Sequence, residues 1–304
     1  MRKRLYILYI SIFCFLFLYF HAGAVTTEAL TLKDVLKGIR FHYSLIKSGI
    51  GQYTVESNTI RTQRIIKLYE EVTYYFKSDR FRYNVFSKYL IRDSEKDRIR
   101  EERKYAEYTY DGEVPVMVKY ELSGIYASIG NKYPLDYNES SGLRIWGLWL
   151  FRRPLAEALE QFELELVGVE NLEPRKSCYL IKAKPRKYMG YTFKIWIDPK
   201  EGYTMQKIEM IPITKEGTLA KKAPRIVKEI RYKEYPGGIW FPSEGILRYY
   251  SIEEDGKRRK ESEITMKVKN FQLNVDIDDD VFKPTLKKGT IVHDRRTGST
   301  YTVE

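Results

Sequence analysis

Cysteine and histidine are scarce in this chain of 304 residues, which holds two of the first and three of the second. Cys14 lies inside an apolar run near the N-terminus, so removal of that run leaves Cys178 alone and excludes an intramolecular disulfide. His42 and His293 stand far apart, and with one cysteine they form no cluster of metal-ligand spacing. Both are expected to be ordinary structural or surface residues. Gly-x-Ser-x-Gly, the phosphate loop and the dinucleotide glycine pattern are all absent. Glu70-Glu71 and Glu253-Glu254 are adjacent pairs, and neighbouring strand residues point to opposite faces, so they assemble no acid/base couple. Asp276, Asp278 and Asp280 suggest a calcium loop, but Val281 falls where that loop needs glycine and Lys287 where it needs a bidentate Glu. A charged turn is the simpler reading. Nothing in this inventory requires an enzyme, a metal or a cofactor, and none is expected.

The chain also lacks an apolar run of the ~20 residues that a spanning helix needs. The run it has, Leu5 to Phe20, is 16 residues long and broken only by Ser11. Arg2, Lys3 and Arg4 precede it and Ala22-Gly23-Ala24 follows it. A positive start, an apolar middle and a small-residue exit make a secretory signal peptide, with cleavage expected after Ala24 and a periplasmic or envelope location. The rival reading is an uncleaved membrane anchor. A lipidated cysteine is not expected, because Cys14 follows bulky Phe13 within the run.

The formal charge is +12, and loss of the three basic residues of the leading segment lowers it to +9. Export and the absence of a nucleic-acid motif argue against a nucleic-acid partner. Anionic lipid or an acidic envelope partner suits the charge, as does solubility alone.

Residues Thr31 to Ser48 read as an amphipathic helix. Leu32, Val35, Leu36, Ile39, Tyr43 and Ile46 form one stripe, Thr31 and Asp34 a weak capping box, and Gly49 and Gly51 a stop. Beyond it the period becomes two. Phe81, Tyr83 and Val85 alternate with polar residues, Tyr191, Phe193, Ile195 and Ile197 share one face, and Ile264, Met266 and Val268 share another. Asp111-Gly112 and Asp198-Pro199-Lys200-Glu201-Gly202 read as hairpin turns. A second helix is expected from Pro154, with Leu155, Ala158, Leu159 and Phe162 as its stripe. Arg92 to Lys104 carries eleven charges of both signs and reads as a solvated loop or exposed helix. Lys221 to Arg225 reads as another loop. The expected fold is α+β and β-rich: one curved antiparallel sheet covered by an N-terminal and a mid-chain helix. It forms a single domain over residues 25–304 after a signal at 1–24.

Several phrases in this order carry a family resemblance: DRFRYNV (Asp79 to Val85), YTYDGEVPVMVKY (Tyr108 to Tyr120), YTFKIWIDPKEGYTMQKIEM (Tyr191 to Met210), GGIWFPSE (Gly237 to Glu244) and the tail from Val281 to Val303. With them the chain resembles the LolA/LolB-like superfamily of outer-membrane lipoprotein carriers, in particular larger relatives with a C-terminal extension, here residues 281–304. The resemblance implies an open half-barrel whose helices close a concave apolar face. Carriers hold acyl chains there, and envelope-stress regulators use the same fold to bind other proteins. The carriers' cavity arginine matches no particular residue here.

On this footing the expected partner is a lipid or acylated protein, or else a membrane surface or another envelope protein. The expected apolar groove is lined by Tyr191, Phe193, Ile195, Ile197, Ile264, Met266 and Val268. The apolar patch Ile145 to Phe151, read as a helix, places Trp146, Trp149 and Leu150 on one face. They read either as core or as a lid over the groove. The 26 tyrosines follow the strands, which half-buried packing explains without a recognition code.

Overall fold

The structure, a computed structural model, describes residues 30–61, 64–93, 98–130, 149–150, 153–174, 176–187, 190–213, 224–253 and 257–304. The leading segment Met1 to Ala24, Trp146 and the loop residues 221–223 lie outside them.

The first helix, α1, spans Leu32–Ser44. Thr31 caps it as the sequence suggests, with both arms of the capping box formed through Asp34. Its end differs from expectation. The helix stops at Ser44, and Gly49 and Gly51 lie within the first strand. They are there because aromatic rings press on them. A Cβ on Gly49 would meet the Phe76 ring at 2.6 Å, and one on Gly51 the Phe271 ring at 2.2 Å.

Six strands follow as a meander: β1 Ser48–Arg61, β2 Arg64–Lys77, β3 Arg80–Asp93, β4 Arg98–Tyr110, β5 Pro115–Glu121 and β6 Gly124–Ile129. The described parts of the charged stretch, Arg92–Asp93 and Arg98–Lys104, are therefore strand, not loop or helix, and residues 94–97 lie outside the described residues. Opposite signs meet on this stretch, with Lys88 and Glu101 at 3.0 Å across the ladder and Arg103 and Glu101 at 2.8 Å along it. The Asp111-Gly112 turn forms as expected: Asp111 Oδ1 accepts from the amides of Glu113 and Val114, and Gly112 takes φ +100°.

A two-residue pair, β7 Trp149–Leu150 with β8 Arg153–Pro154, precedes a short helix α2, Leu155–Leu159. Trp149 and Leu150 thus lie on a strand rather than on the helix expected there. The helix from Pro154 is also shorter than expected, and Phe162 opens the next strand. A second meander then runs through β9 Phe162–Glu173, β10 Lys176–Pro185, β11 Tyr191–Asp198, β12 Thr204–Pro212, β13 Ile226–Tyr235, β14 Ile239–Ile252 and β15 Arg258–Leu273. The tail carries a 3-10 turn at Asp279–Phe282 and strands β16 Ile291–Asp294 and β17 Ser299–Thr302. Asp278 caps that turn by accepting from the Asp280 amide, so the acidic triplet is a capped turn.

The two meanders join through β1 and β15, giving one sheet in the order β17-β16-β6-β5-β4-β3-β2-β1-β15-β14-β13-β12-β11-β10-β9. Every pairing is antiparallel except β16 with β6. The sheet curves strongly. In a flat sheet β2 and β14 would lie roughly 14 Å apart, three strand spacings, yet the rings of Phe76 and Phe241 stack with centroids 6.4 Å apart. The tail crosses the outer side, where Lys77 and Arg80 hold Asp279 at 2.8 and 2.7 Å. Its Leu286, Val292 and Val303 cover Val116, Val118, Ala127 and Ile129. No helix among the described residues is long and apolar enough to cross a membrane.

Candidate functional site: the inner face of the sheet

The inner face divides into two apolar halves. Phe193, Ile195 and Ile197 on β11 are buried together with Ile181 and Ala183 of β10 and Ile208 of β12. Both helices sit on them, α1 through Val35 and Ile39 and α2 through Leu155 and Leu159. Tyr191 packs at the margin. α1 can approach the turn between β11 and β12 closely because Gly38 faces the Tyr203 ring, which a Cβ would meet at 2.4 Å. His42 fastens α1 to the sheet: its Nε2 donates to the Trp240 carbonyl at 2.8 Å. Burial holds its pKa below the usual histidine value, against the smaller effect of that hydrogen bond.

Ile264, Met266 and Val268 belong to the other half, with β1–β4 and β14. The seven residues expected to line one groove are therefore split between two clusters. In this second half, register places Gly51, Tyr74, Tyr83, Tyr108 and Met117 opposite one another across five strands. The rings of Tyr83 and Tyr108 stack at 4.4 Å, and Tyr74 lies 6.3 Å from Tyr83. Such cross-strand aromatic pairs stabilise a sheet beyond the area they bury. Burial drives the Tyr74 and Tyr83 phenols well above their usual range. Burial first, and then the charge of Glu70, pushes Tyr108 up to about 12. All three are neutral hydroxyls at ordinary pH.

Two polar features interrupt this face. Glu70 is 1% exposed and accepts from the Ser87 hydroxyl at 2.9 Å. The Tyr83 hydroxyl is buried and has no hydrogen-bond partner among the described residues. Sequence reasoning missed this tyrosine row and Glu70. The signal for the row was present, because Tyr74, Tyr83, Tyr108 and Tyr110 all obey the period of two, but their alignment depends on strand register.

The remaining reactive groups sit apart from this face's chemistry. The Cys178 thiol is buried, which pushes its pKa up to about 12 and leaves it unreactive. His293 is exposed on β16, 3.1 Å from the Thr300 hydroxyl. Among the described residues no three His, Cys, Asp or Glu side chains group as metal ligands. The inner face offers apolar surface, aromatic rings and a few buried polar atoms.

No family model and no curated protein matches the chain. Solved structures similar to it include a DUF1329 family protein from Desulfovibrio piger, at 13% identity and TM-score 0.46, covering 83% of this chain and 97% of that one. The Pseudomonas aeruginosa MucA/MucB complex is similar at 8% identity and TM-score 0.25, covering 80% and 100%. A β-barrel-like protein of domain of unknown function DUF1849 from Brucella abortus is similar at 9% identity and TM-score 0.20, covering 75% and 98%. At these identities and TM-scores the fold rests on the strand pairings described above, and the likeness to lipoprotein carriers stays a resemblance.

Proposed function

We propose that this chain is an exported binding or carrier protein of the periplasm or cell envelope that holds a lipid or acylated ligand against the inner face of its sheet. The supporting observation is the contrast in chemistry between two equally buried halves. The half built on β9–β12 packs under α1 and α2, whereas the tyrosine half receives from the α1 region only Tyr43 and Ile46 among the described residues and keeps a buried Tyr83 hydroxyl without a partner among them. An acyl chain gains roughly 0.8 kcal/mol per CH₂ removed from water. About a dozen such groups supply on the order of 10 kcal/mol before ordering costs. No catalytic group takes part. Met266 and Ile264 line the floor in this reading, and Val268, which is half-buried, lies at its edge.

Titration with a fluorescent fatty acid, cis-parinaric acid, tests this. The wild type should bind it, and Val268→Glu should weaken binding at least tenfold while the thermal melt moves little. Failure of the wild type to bind up to the solubility limit of the probe would remove the lipid reading.

A second reading, an envelope protein-interaction module, is favoured by β9. Among the described residues this strand pairs only with β10, and it exposes Val167 and Val169. An edge of this kind accepts an added strand from another chain.

A further inference from the structure

Away from the inner face, three hairpins each carry a β-bulge, and the three bulges meet. The register between β10 and β9 shifts so that Leu172 is the extra residue, opposite the step from Lys176 to Ser177. Between β11 and β12 the extra residue is Gln206, opposite the step from Trp196 to Ile197. Between β13 and β14 it is Ser243, next to Glu244. Bulges re-aim side chains and gather beside functional sites. Here Leu172, Gln206 and Glu244 turn toward one cavity of about 200 Å³, whose lining also includes Lys176, Lys207 and Arg231.

Gln206 is the most constrained of these groups. It is 3% exposed, and its amide protons go to Glu201 Oε2 at 2.8 Å and Thr204 Oγ1 at 2.7 Å. Those two bonds fix the orientation of the amide. Its Oε1 is left buried without a hydrogen-bond partner among the described residues, which is costly unless something at the site donates to it.

Of the charged lining groups all but Glu173, which is exposed, are already matched among the described residues. Lys176 pairs with Glu201 at 3.0 Å, Lys207 with Glu209 at 2.7 Å, Arg231 with Glu244 at 3.1 Å, and Glu229 with Arg248 at 2.7 Å. An anion would have to break such pairs and a cation would meet Lys176, Lys207 and Arg231 around the single unmatched Glu173, whereas neutral hydroxyls can donate to and accept from the pairs as they stand. Leu172 and Ile246 supply an apolar wall. The volume lies below the ~300–1,000 Å³ of drug-sized pockets and is on the scale of a single sugar ring.

We infer that this cavity is a binding site for a neutral polyhydroxylated ligand of monosaccharide size, with Gln206 Oε1 accepting from one of its hydroxyls. The site is independent of the inner face and of the lipid reading.

The test is NMR of the full chain carrying ¹³C-methyl isoleucine and ¹⁵N-glutamine. D-glucose, D-galactose, D-mannose and N-acetylglucosamine are titrated singly, with glycine as a zwitterionic control. At least one sugar should shift the Ile246 methyl and the Gln206 amide together in a saturable way. Gln206→Leu should weaken that sugar at least tenfold while the other isoleucine methyls keep their positions. If Gln206→Leu disturbs the fold, Ile246→Trp, which narrows the cavity from its apolar wall, should abolish the same shifts. Shifts with glycine alone, or none with any sugar at tens of millimolar, would overturn the proposal.

Discussion

The two halves of the inner face belong to one sheet and are built from different residues. Under α1 and α2 the side chains are mainly aliphatic, with Phe162 and Phe193 among them, and the helices pack down on them: Ile195, Ile197, Ile181, Leu155 and Leu159 are each 0% exposed. Opposite them the face is largely aromatic, with Tyr53, Tyr74, Tyr83 and Tyr108 beside Val55, Val72 and Val85 and a buried Glu70 among them. A purely aliphatic face needs only a cover. A face of neutral phenols with a buried carboxylate needs hydrogen-bonding partners as well as a cover. The first half is therefore a core in the ordinary sense, and the second is a core that also holds buried polar groups.

The sharpest way to break this contrast is to charge the covered half. Ile195→Asp places an uncompensated carboxylate beneath both helices, and the expected loss is more than about 4 kcal/mol, enough to abolish a cooperative thermal melt. A melt near that of the wild type would mean that the helices do not hold this half closed.

A milder change separates the halves. Gly38→Val puts a side chain into the Tyr203 ring, with an expected cost of about 1–3 kcal/mol. Hydrogen exchange should quicken in α1 and stay unchanged in β3 and β4. Equal quickening of both would show that the halves open as one unit.

His42 makes the same distinction through pH. Its folded pKa lies below its ordinary value, so between the two the unfolded chain binds more protons than the folded one. Its contribution is present above about 6.5 and is lost as pH falls toward the folded value. The melting temperature should drop more between pH 7.5 and 5 for the wild type than for His42→Gln, which keeps a donor for the Trp240 carbonyl.

The smallest effect is expected in the tyrosine half. Tyr83→Phe removes a buried hydroxyl that has no partner among the described residues, so stability should change by less than about 1 kcal/mol, toward higher stability. If the acyl probe binds more weakly to this variant, the hydroxyl serves the ligand rather than the fold.

Much of this architecture was legible in the sequence because local rules decide it. The Thr31 and Asp34 cap, the Asp111-Gly112 turn, the period-two strands and the two helices over one antiparallel sheet all follow from short-range chemistry. What was misread depends on neighbours far along the chain. Gly49 and Gly51 look like a helix stop until Phe76 and Phe271 are seen lying over them. The charges from Arg92 to Lys104 are solvated as they look, but they read as loop or helix until Lys88 is placed beside Glu101 across two paired strands. The candidate groove was divided for the same reason. Ile195 and Met266 have the same local pattern, and only the β1–β15 junction and the helices assign them to different clusters.

That junction has a consequence in time. Gly49 pairs with Leu273, so the central ladder of the sheet joins nearly the two ends of the described chain. Chains are made from the N-terminus, and the first meander can zip through its local hairpins long before β15 exists. Until then β1, which ends as an interior strand, is an unpaired edge fourteen residues long. The nascent protein thus passes through a stage in which its most adhesive border is exposed to any other chain nearby. Completion of the C-terminal strands is what makes it unavailable.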